Sequence, residues 1–203
     1  MIEKTIVFID AGFLSKLSKE LGKGKYLKYD LFEFCSIIVK KEKLELEKIY
    51  YYNASPFISN NPTKEEIERK EKYDNFTNKL RKNTLIEVKE GRCQRIKLKN
   101  GEYEYNQKGV DTLLTIDMTT LPLKYPHIKK IILIACDSDF VPVIKEINKY
   151  QVKTLLYTYY EKGRNRILST SNQLFQVVSK YELITIDDFN NAKLNNDKKV
   201  KLQ

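Results

Sequence analysis

Short apolar runs alternate with amphipathic stretches along most of the chain. Thr5-Ile6-Val7-Phe8-Ile9 has no polar break inside it, as expected of a strand buried on both faces, and it ends at Asp10. Phe13 to Leu21 reads as a short helix broken by Gly22 and Gly24. Tyr29 to Lys41 sets Leu31, Phe34, Cys35 and Ile38 on one helical face. A strand follows at Ile49 to Ala54. Asn61-Pro62-Thr63 then opens a long charged helix to about Arg81, whose sparse apolar residues leave most of it solvated. Leu85 to Lys97 reads as a strand. Asn100-Gly101 signals a hairpin returning through Glu102 to Tyr105.

After Lys108-Gly109 comes a helix from Val110 to Leu121, expected to stop at Pro122. A strand at 130–136, a helix at 140–150, a strand from Lys153 to Tyr159, a helix from about 165 to 179 and a last strand from Leu183 to Ile186 complete the series. One domain over 1–190 is expected, with 191–203 a loose basic tail. Strand–helix alternation of this kind predicts a mostly parallel sheet covered by helices on both faces. In such sheets the functional crevice lies beyond the carboxyl ends of the strands.

That position is where the acids fall. Asp10 ends one strand, and Asp137 and Asp139 follow another, the apolar run Ile131 to Ala135. If the two strands are neighbours, three carboxylates converge. Asp111 and Asp117 share the helix after the hairpin, but helical geometry sets their side chains about 240° apart. Asp111, in the first turn, is favoured for the crevice, while Asp117 reaches its edge only if the helix crosses the sheet steeply. Clustered carboxylates repel and raise each other's pKa. Mg²⁺ or Mn²⁺ removes that conflict, prefers oxygen ligands and keeps waters, one of which can serve as the nucleophile at a phosphodiester. Helix capping is the competing role: Asp139 before Phe140-Val141-Pro142 and Asp10 before Phe13 both suit it. Capping does not by itself explain acids at a matching pair of strand ends.

Composition narrows the chemistry. The 203 residues carry 37 Lys plus Arg against 27 Asp plus Glu, a net +10, which favours a polyanionic partner. His127 is the single histidine, and it follows Pro126 in a loop. Zinc cages and His-dependent nucleophile systems are therefore disfavoured. Three scattered cysteines fit a reducing, cytoplasmic setting, with Cys35 and Cys136 as buried small hydrophobes. The chain begins MIEKTIVFID and shows neither a signal peptide nor a membrane-length apolar run.

The stretches VFIDAGFL, QKGVDTLLTIDM, ILIACDSDFVPVIKEINKYQVKT and STSNQLFQVVSKYELITIDDF, in that order, resemble the NYN domain family, the LabA-like branch of the PIN-like nucleases. The resemblance implies a PIN-like three-layer α/β/α sandwich with a central mostly parallel sheet, here with a β-hairpin insertion. It also implies a Mg²⁺- or Mn²⁺-dependent ribonuclease site, whose acids fall on Asp10, Asp111, Asp137 and Asp139; Asp117 matches a further family position. Phe13 stands where many members carry Asn, and Gln151 where Gly is usual. LabA-type members are associated with regulation, so an RNA-binding protein with little or no catalysis is the alternative. A phosphatase of the haloacid dehalogenase type would want an acid where Gly12 stands.

On the substrate side, Lys108, Arg164 and Arg166 are candidate phosphate contacts, and Ser138 offers a hydroxyl or N–H between the two acids. The expected partner is RNA, single-stranded or structured, with no membrane. The segment 85–106 is either a basic ribbon with Tyr103 and Tyr105 for stacking or an edge hairpin shielded by lysines. A homodimer is open, with Tyr50 to Tyr52 or the helix at 63–82 as candidate surfaces.

Overall fold

A computed structural model of the chain describes residues 2–161, 168 and 170–194. Among these residues seven strands form one sheet: β1 (Lys4–Asp10), β2 (Glu45–Ala54), β3 (Ile86–Lys97), β4 (Tyr103–Lys108), β5 (Lys130–Ile134), β6 (Lys153–Thr158) and β7 (Lys180–Leu183). Their order is β4-β3-β2-β1-β5-β6-β7, and every pairing is parallel except the β3–β4 hairpin. From β1 the chain winds outward to β2 and β3 on one side and returns to fill β5, β6 and β7 on the other. The reversal falls between β1 and β5, the topological switch point where such sheets open a crevice.

The alternation along β1 explains the layering. Val7 and Ile9 face one core with α1 (Ala11–Leu21), α2 (Leu31–Lys41), the end of α3 (Lys64–Arg81) and α7 (Ile186–Asn191). Ile6 and Phe8 face a second core with α4 (Val110–Lys124), α5 (Val141–Lys149) and α6 (Asn172–Val177). Both faces of β1 are fully buried, so the strand reads as an unbroken apolar run rather than an alternating one. The expected three-layer α/β/α sandwich with a hairpin at one edge is the observed fold.

Several boundaries differ from the sequence reading. Pro122 lies inside α4, which runs on to Lys124; a proline removes its own N–H, yet its φ is helical and the last turn continues. The last strand is Lys180–Leu183, three residues earlier than expected, and all four of its residues are exposed. Backbone pairing with β6 defines it, not an apolar run. Ile184 is buried just beyond it, and a capping box between Thr185 and Asp188 starts α7 at Ile186, where strand was expected. The helix expected over about 165–179 is α6, Asn172–Val177; residues 162–167 lie outside the described ones. Ala192 is buried and its carbonyl accepts from Asp30 N–H, so the folded chain passes residue 191. Tyr50, Tyr51 and Tyr52 are buried in the centre of the sheet and cannot form a dimer surface. The Asn100-Gly101 hairpin has a three-residue loop, with Leu98 N–H bonded to the Glu102 carbonyl and Gly101 at φ 87°. Among the described residues no helix is long and apolar enough to cross a membrane.

Candidate active site

β1 and β5 are hydrogen-bonded parallel neighbours, with Ile9 opposite Ile134. Asp10 is the last residue of β1, and Asp137 follows β5 by three residues. Both carboxylates therefore emerge at one end of the sheet, beside the switch point.

Each is held by the start of a helix. Asp10 is the N-cap of α1, and its Oδ1 accepts from Phe13 N at 3.2 Å. Asp137 is the N-cap of a 3₁₀ turn, Ser138–Phe140, and its Oδ1 accepts from Asp139 N at 2.9 Å. The capping expected of Asp139 thus falls to Asp137. Capping and a site role prove compatible, since the N–H donors fix the carboxylates without neutralising them. Asp111 sits in the first turn of α4, whose N-cap, Gly109, has φ 82° and no side chain to offer. An acid there faces the positive end of the helix.

The electrostatics link these acids. Burial pushes the Asp10 carboxyl up to about 6; the Phe13 N–H opposes that, and the charge of Asp111 adds to it. Asp111 is itself raised, by burial and then by Asp137 and Asp139. Cys136 lies between the two strand ends. Burial pushes its thiol up to about 12, with Asp10 and Asp137 both contributing. It is half-buried at the crevice, not the fully buried hydrophobe expected. Among the described residues no lysine or arginine forms an ion pair with Asp10, Asp111, Asp137 or Asp139. Lys16 is the cation whose field reaches Asp10.

Four carboxylates with no ion-pair partner among the described residues are the donor chemistry that suits Mg²⁺ or Mn²⁺. Among the described residues no three acid, His or Cys side chains close on one ion position. Mg²⁺ requires no such cage, since one or two carboxylates with waters hold it. The donor set fits the ion in chemistry, in an open arrangement.

Asp117 belongs elsewhere. It is 6% exposed and bound by Tyr52 Oη at 2.9 Å, Lys89 Nζ at 3.0 Å and Lys124 Nζ at 3.2 Å. Burial alone would raise its carboxyl, but the hydrogen bonds from Lys89, Tyr52 and Lys124 hold it below the usual range. This is a partnered structural acid tying α4 to β2 and β3. Lys108 is exposed at the end of β4, and lines a shallow groove of about 510 Å³ with Arg92 and Thr112. Ser138 opens the 3₁₀ turn between the two acids. Arg164 and Arg166 lie outside the described residues. His127 is an exposed surface residue bonded to Glu47.

Two amides at the strand ends were missed. Gln107 and Asp10 both flank Gly12: a Cβ built there would stand 3.2 Å from Asp10 Oδ1 and 3.5 Å from Gln107 Oε1. Asn53, near the end of β2, lines a cleft with Gln107. Phe13 is buried in the core. The available signal was the strand alternation of Tyr103 to Lys108, which turns Gln107 and Lys108 to opposite faces.

A family model described as the NYN domain matches residues 4–181. The chain belongs to the NYN domain family. This is a PIN-like nuclease family, which supports a nuclease or RNA-related role for this NYN domain. A crystal structure of a protein of unknown function from Vibrio parahaemolyticus is similar to it, with a TM-score of 0.58 and 22% identity, covering 93% of this chain and 96% of that one. That likeness concerns the fold. No curated protein matches the chain.

Proposed function

We propose that this NYN domain is a metal-dependent ribonuclease that hydrolyses RNA phosphodiester bonds. The observation that supports the reading is the pairing of β1 with β5, which brings Asp10 and Asp137 to one end of the sheet, with Asp111 close enough to interact with both. Asp10, Asp111, Asp137 and Asp139 are the residues that would hold Mg²⁺ or Mn²⁺. The ion, when bound, would supply an activated water and neutralise charge growing on the phosphoryl oxygens. Asp10 and Asp137 are kept in orientation by the N–H groups of Phe13 and Asp139. Preorganised carboxylates of this kind need no rearrangement during the reaction. Ser138, Lys108, Arg164 and Arg166 are the proposed phosphate contacts, and Asp117 supports the helix that carries Asp111.

A second reading is an RNA-binding or regulatory protein with little or no catalysis. The open spacing of the acids favours it. The two part at Asp137→Asn. Purified protein is incubated with generic RNA and DNA in Mg²⁺, Mn²⁺ or chelator, beside Asp10→Asn and Asp137→Asn. The nuclease reading expects cleavage that needs the ion and is lost in both variants while the fold persists. Cleavage indifferent to chelator and to both substitutions would overturn it. RNA binding that survives Asp137→Asn, with no cleavage by the parent protein, selects the second reading.

A further inference from the structure

β3 outruns its neighbour in the sheet. Ala54, the last residue of β2, lies opposite Gly91, and from Arg92 to Lys97 β3 pairs with β4 instead. Among the described residues the two strands thus leave the sheet as a ribbon with no third strand on either side. Two strands alone are marginal in water. This ribbon also exposes Ile96, Leu98, Tyr103 and Tyr105. One face packs on the domain: the Arg95 guanidinium lies 4.6 Å from the Phe57 ring centre, and that of Arg69 lies 5.6 Å from the Tyr105 ring centre. On the other face Arg92, Gln94, Ile96, Glu104 and Lys108 are all exposed.

The outer edge of β4 is open. The bond from Leu98 N–H to the Glu102 carbonyl sets the alternation of the ladder. Glu104, Asn106 and Lys108 then exchange bonds with β3, and the N–H and C=O groups of Tyr103, Tyr105 and Gln107 point outward. Among the described residues no loop or turn bonds to them. The register also leaves charges badly matched. Lys108 stands directly opposite Arg92, and Glu104 opposite Ile96. Like charges facing each other across a ladder destabilise it.

A second β4 corrects both defects. With the copies antiparallel and Asn106 facing its own counterpart, the outward groups of Tyr105 and Gln107 meet those of the partner's Gln107 and the partner's Tyr105. Glu104 then stands beside the partner's Lys108, at both ends of the pairing. These are non-hydrogen-bonded positions, where side chains come closest. A shift of one residue would set outward groups against bonded ones. A shift of two would give Lys108 either the partner's Asn106 or the partner's Glu102, and the Glu102 carboxylate already accepts from Asn100 Nδ2 at 2.7 Å. Edge charges that keep copies apart would face their like in a self-pairing, whereas these face their opposites.

We propose that β4 is an interaction edge whose partner is a second copy of this chain, the two ribbons joining antiparallel about a twofold axis at Asn106. One sheet then runs through both domains. An ammonium has three donors, so the pairing leaves Lys108 able to hold a phosphate as well.

Sedimentation equilibrium of the full chain, at rising concentration and at low and high salt, tests this. A monomer–dimer equilibrium is expected, weakened by salt because the ion pairs lie at an exposed edge. Glu104→Lys and Lys108→Glu should each weaken the dimer by about tenfold or more, since each sets like charges opposite at both ends, and the two together should restore it. Asn106→Cys should give a disulfide-linked dimer on mild oxidation where the parent, with its own three cysteines, gives none, because facing non-hydrogen-bonded residues lie within disulfide reach. Circular dichroism verifies that each variant is folded. A monomer at every concentration overturns the inference, whether or not β4 takes up the strand of an unrelated chain. So does a dimer indifferent to both charge reversals, or one that the doubly reversed chain fails to restore.

Discussion

Ile9 and Ile134 are direct partners in a parallel ladder, and Asp10 and Asp137 lie one residue beyond the first and three beyond the second. Their pairing brings two distant sequence positions to one end of the sheet. Burial on both faces of the sheet makes the register hard to slip, since a one-residue shift would turn every core side chain to the wrong layer.

Asp10 should cost the protein stability at neutral pH. Its carboxyl stands at about 6 when folded, against 3.8 as its ordinary value. The folded state therefore holds the proton more tightly, and the stability this contributes is present below about 3.8 and lost as pH rises through about 6. Asn keeps the cap to Phe13 and removes the charge. Asp10→Asn should gain about 1–3 kcal/mol at pH 7.5 in chelator, and little at pH 4. Thermal melts at both pH values check this, and an equal gain at the two would contradict it.

Asp117→Ala should act in the opposite sense. It leaves the buried Tyr52 hydroxyl without its acceptor and takes from Lys89 one of its two carboxylate partners, Glu87 being the other. The expected loss is about 2–4 kcal/mol. The Asp117 carboxyl is held low, so its contribution is present above the ordinary value of 3.8 and lost as pH falls through its folded value. Urea melts at pH 7 should show the deficit, while cleavage per folded molecule stays near that of the parent. A selective loss of cleavage at full stability would instead place Asp117 among the metal-binding acids.

Gly91 is where β3 meets the start of α4. A Cβ there would lie 2.5 Å from the Lys108 carbonyl oxygen and 2.7 Å from Val110 Cγ2. Gly91→Ala must push the N-terminus of α4 away, and Asp111 with it. We expect a stability loss of about 1–3 kcal/mol and a fall in cleavage on the order of tenfold to a hundredfold. Parent-like melting and activity would show that this junction yields freely.

Gln151 holds φ 61° in the turn between α5 and β6, the left-handed region that suits glycine. The cost for a residue with a Cβ is about 1–2 kcal/mol, partly offset by the extra freedom glycine brings to the unfolded chain. Gln151→Gly should therefore stabilise by about 0.5–1 kcal/mol. Calorimetry would settle the sign, and a lowered midpoint would refute it.

Much of this was legible in the chain. The runs at Ile6 and Ile131 were readable because strands buried on both faces carry uninterrupted apolar residues. The left-handed turn at Gln151 was expected only through the family resemblance, since nothing local in the sequence marks it. The edge was harder. β7 has no apolar signature, since it is paired on one side and exposed throughout. Asp111 and Asp117 could be separated by helical angle, but the angle did not say that Tyr52, Lys89 and Lys124 would gather round Asp117. Those donors come from β2, β3 and the last turn of α4, and their meeting depends on packing across the sheet.

The order of strands and helices, the layered class and the acids at strand ends follow from local periodicity, which any stretch of chain expresses by itself. Which strands became neighbours, and so which acids share a field, followed only from closure of the two cores around β1. The cleft lined by Asn53 and Gln107 is likewise a tertiary product. Lys16, Lys28 and Lys72 line it too from separate segments, and nothing in their spacing along the chain could have set them together. Long-range packing, which minimises exposed apolar surface, made that choice.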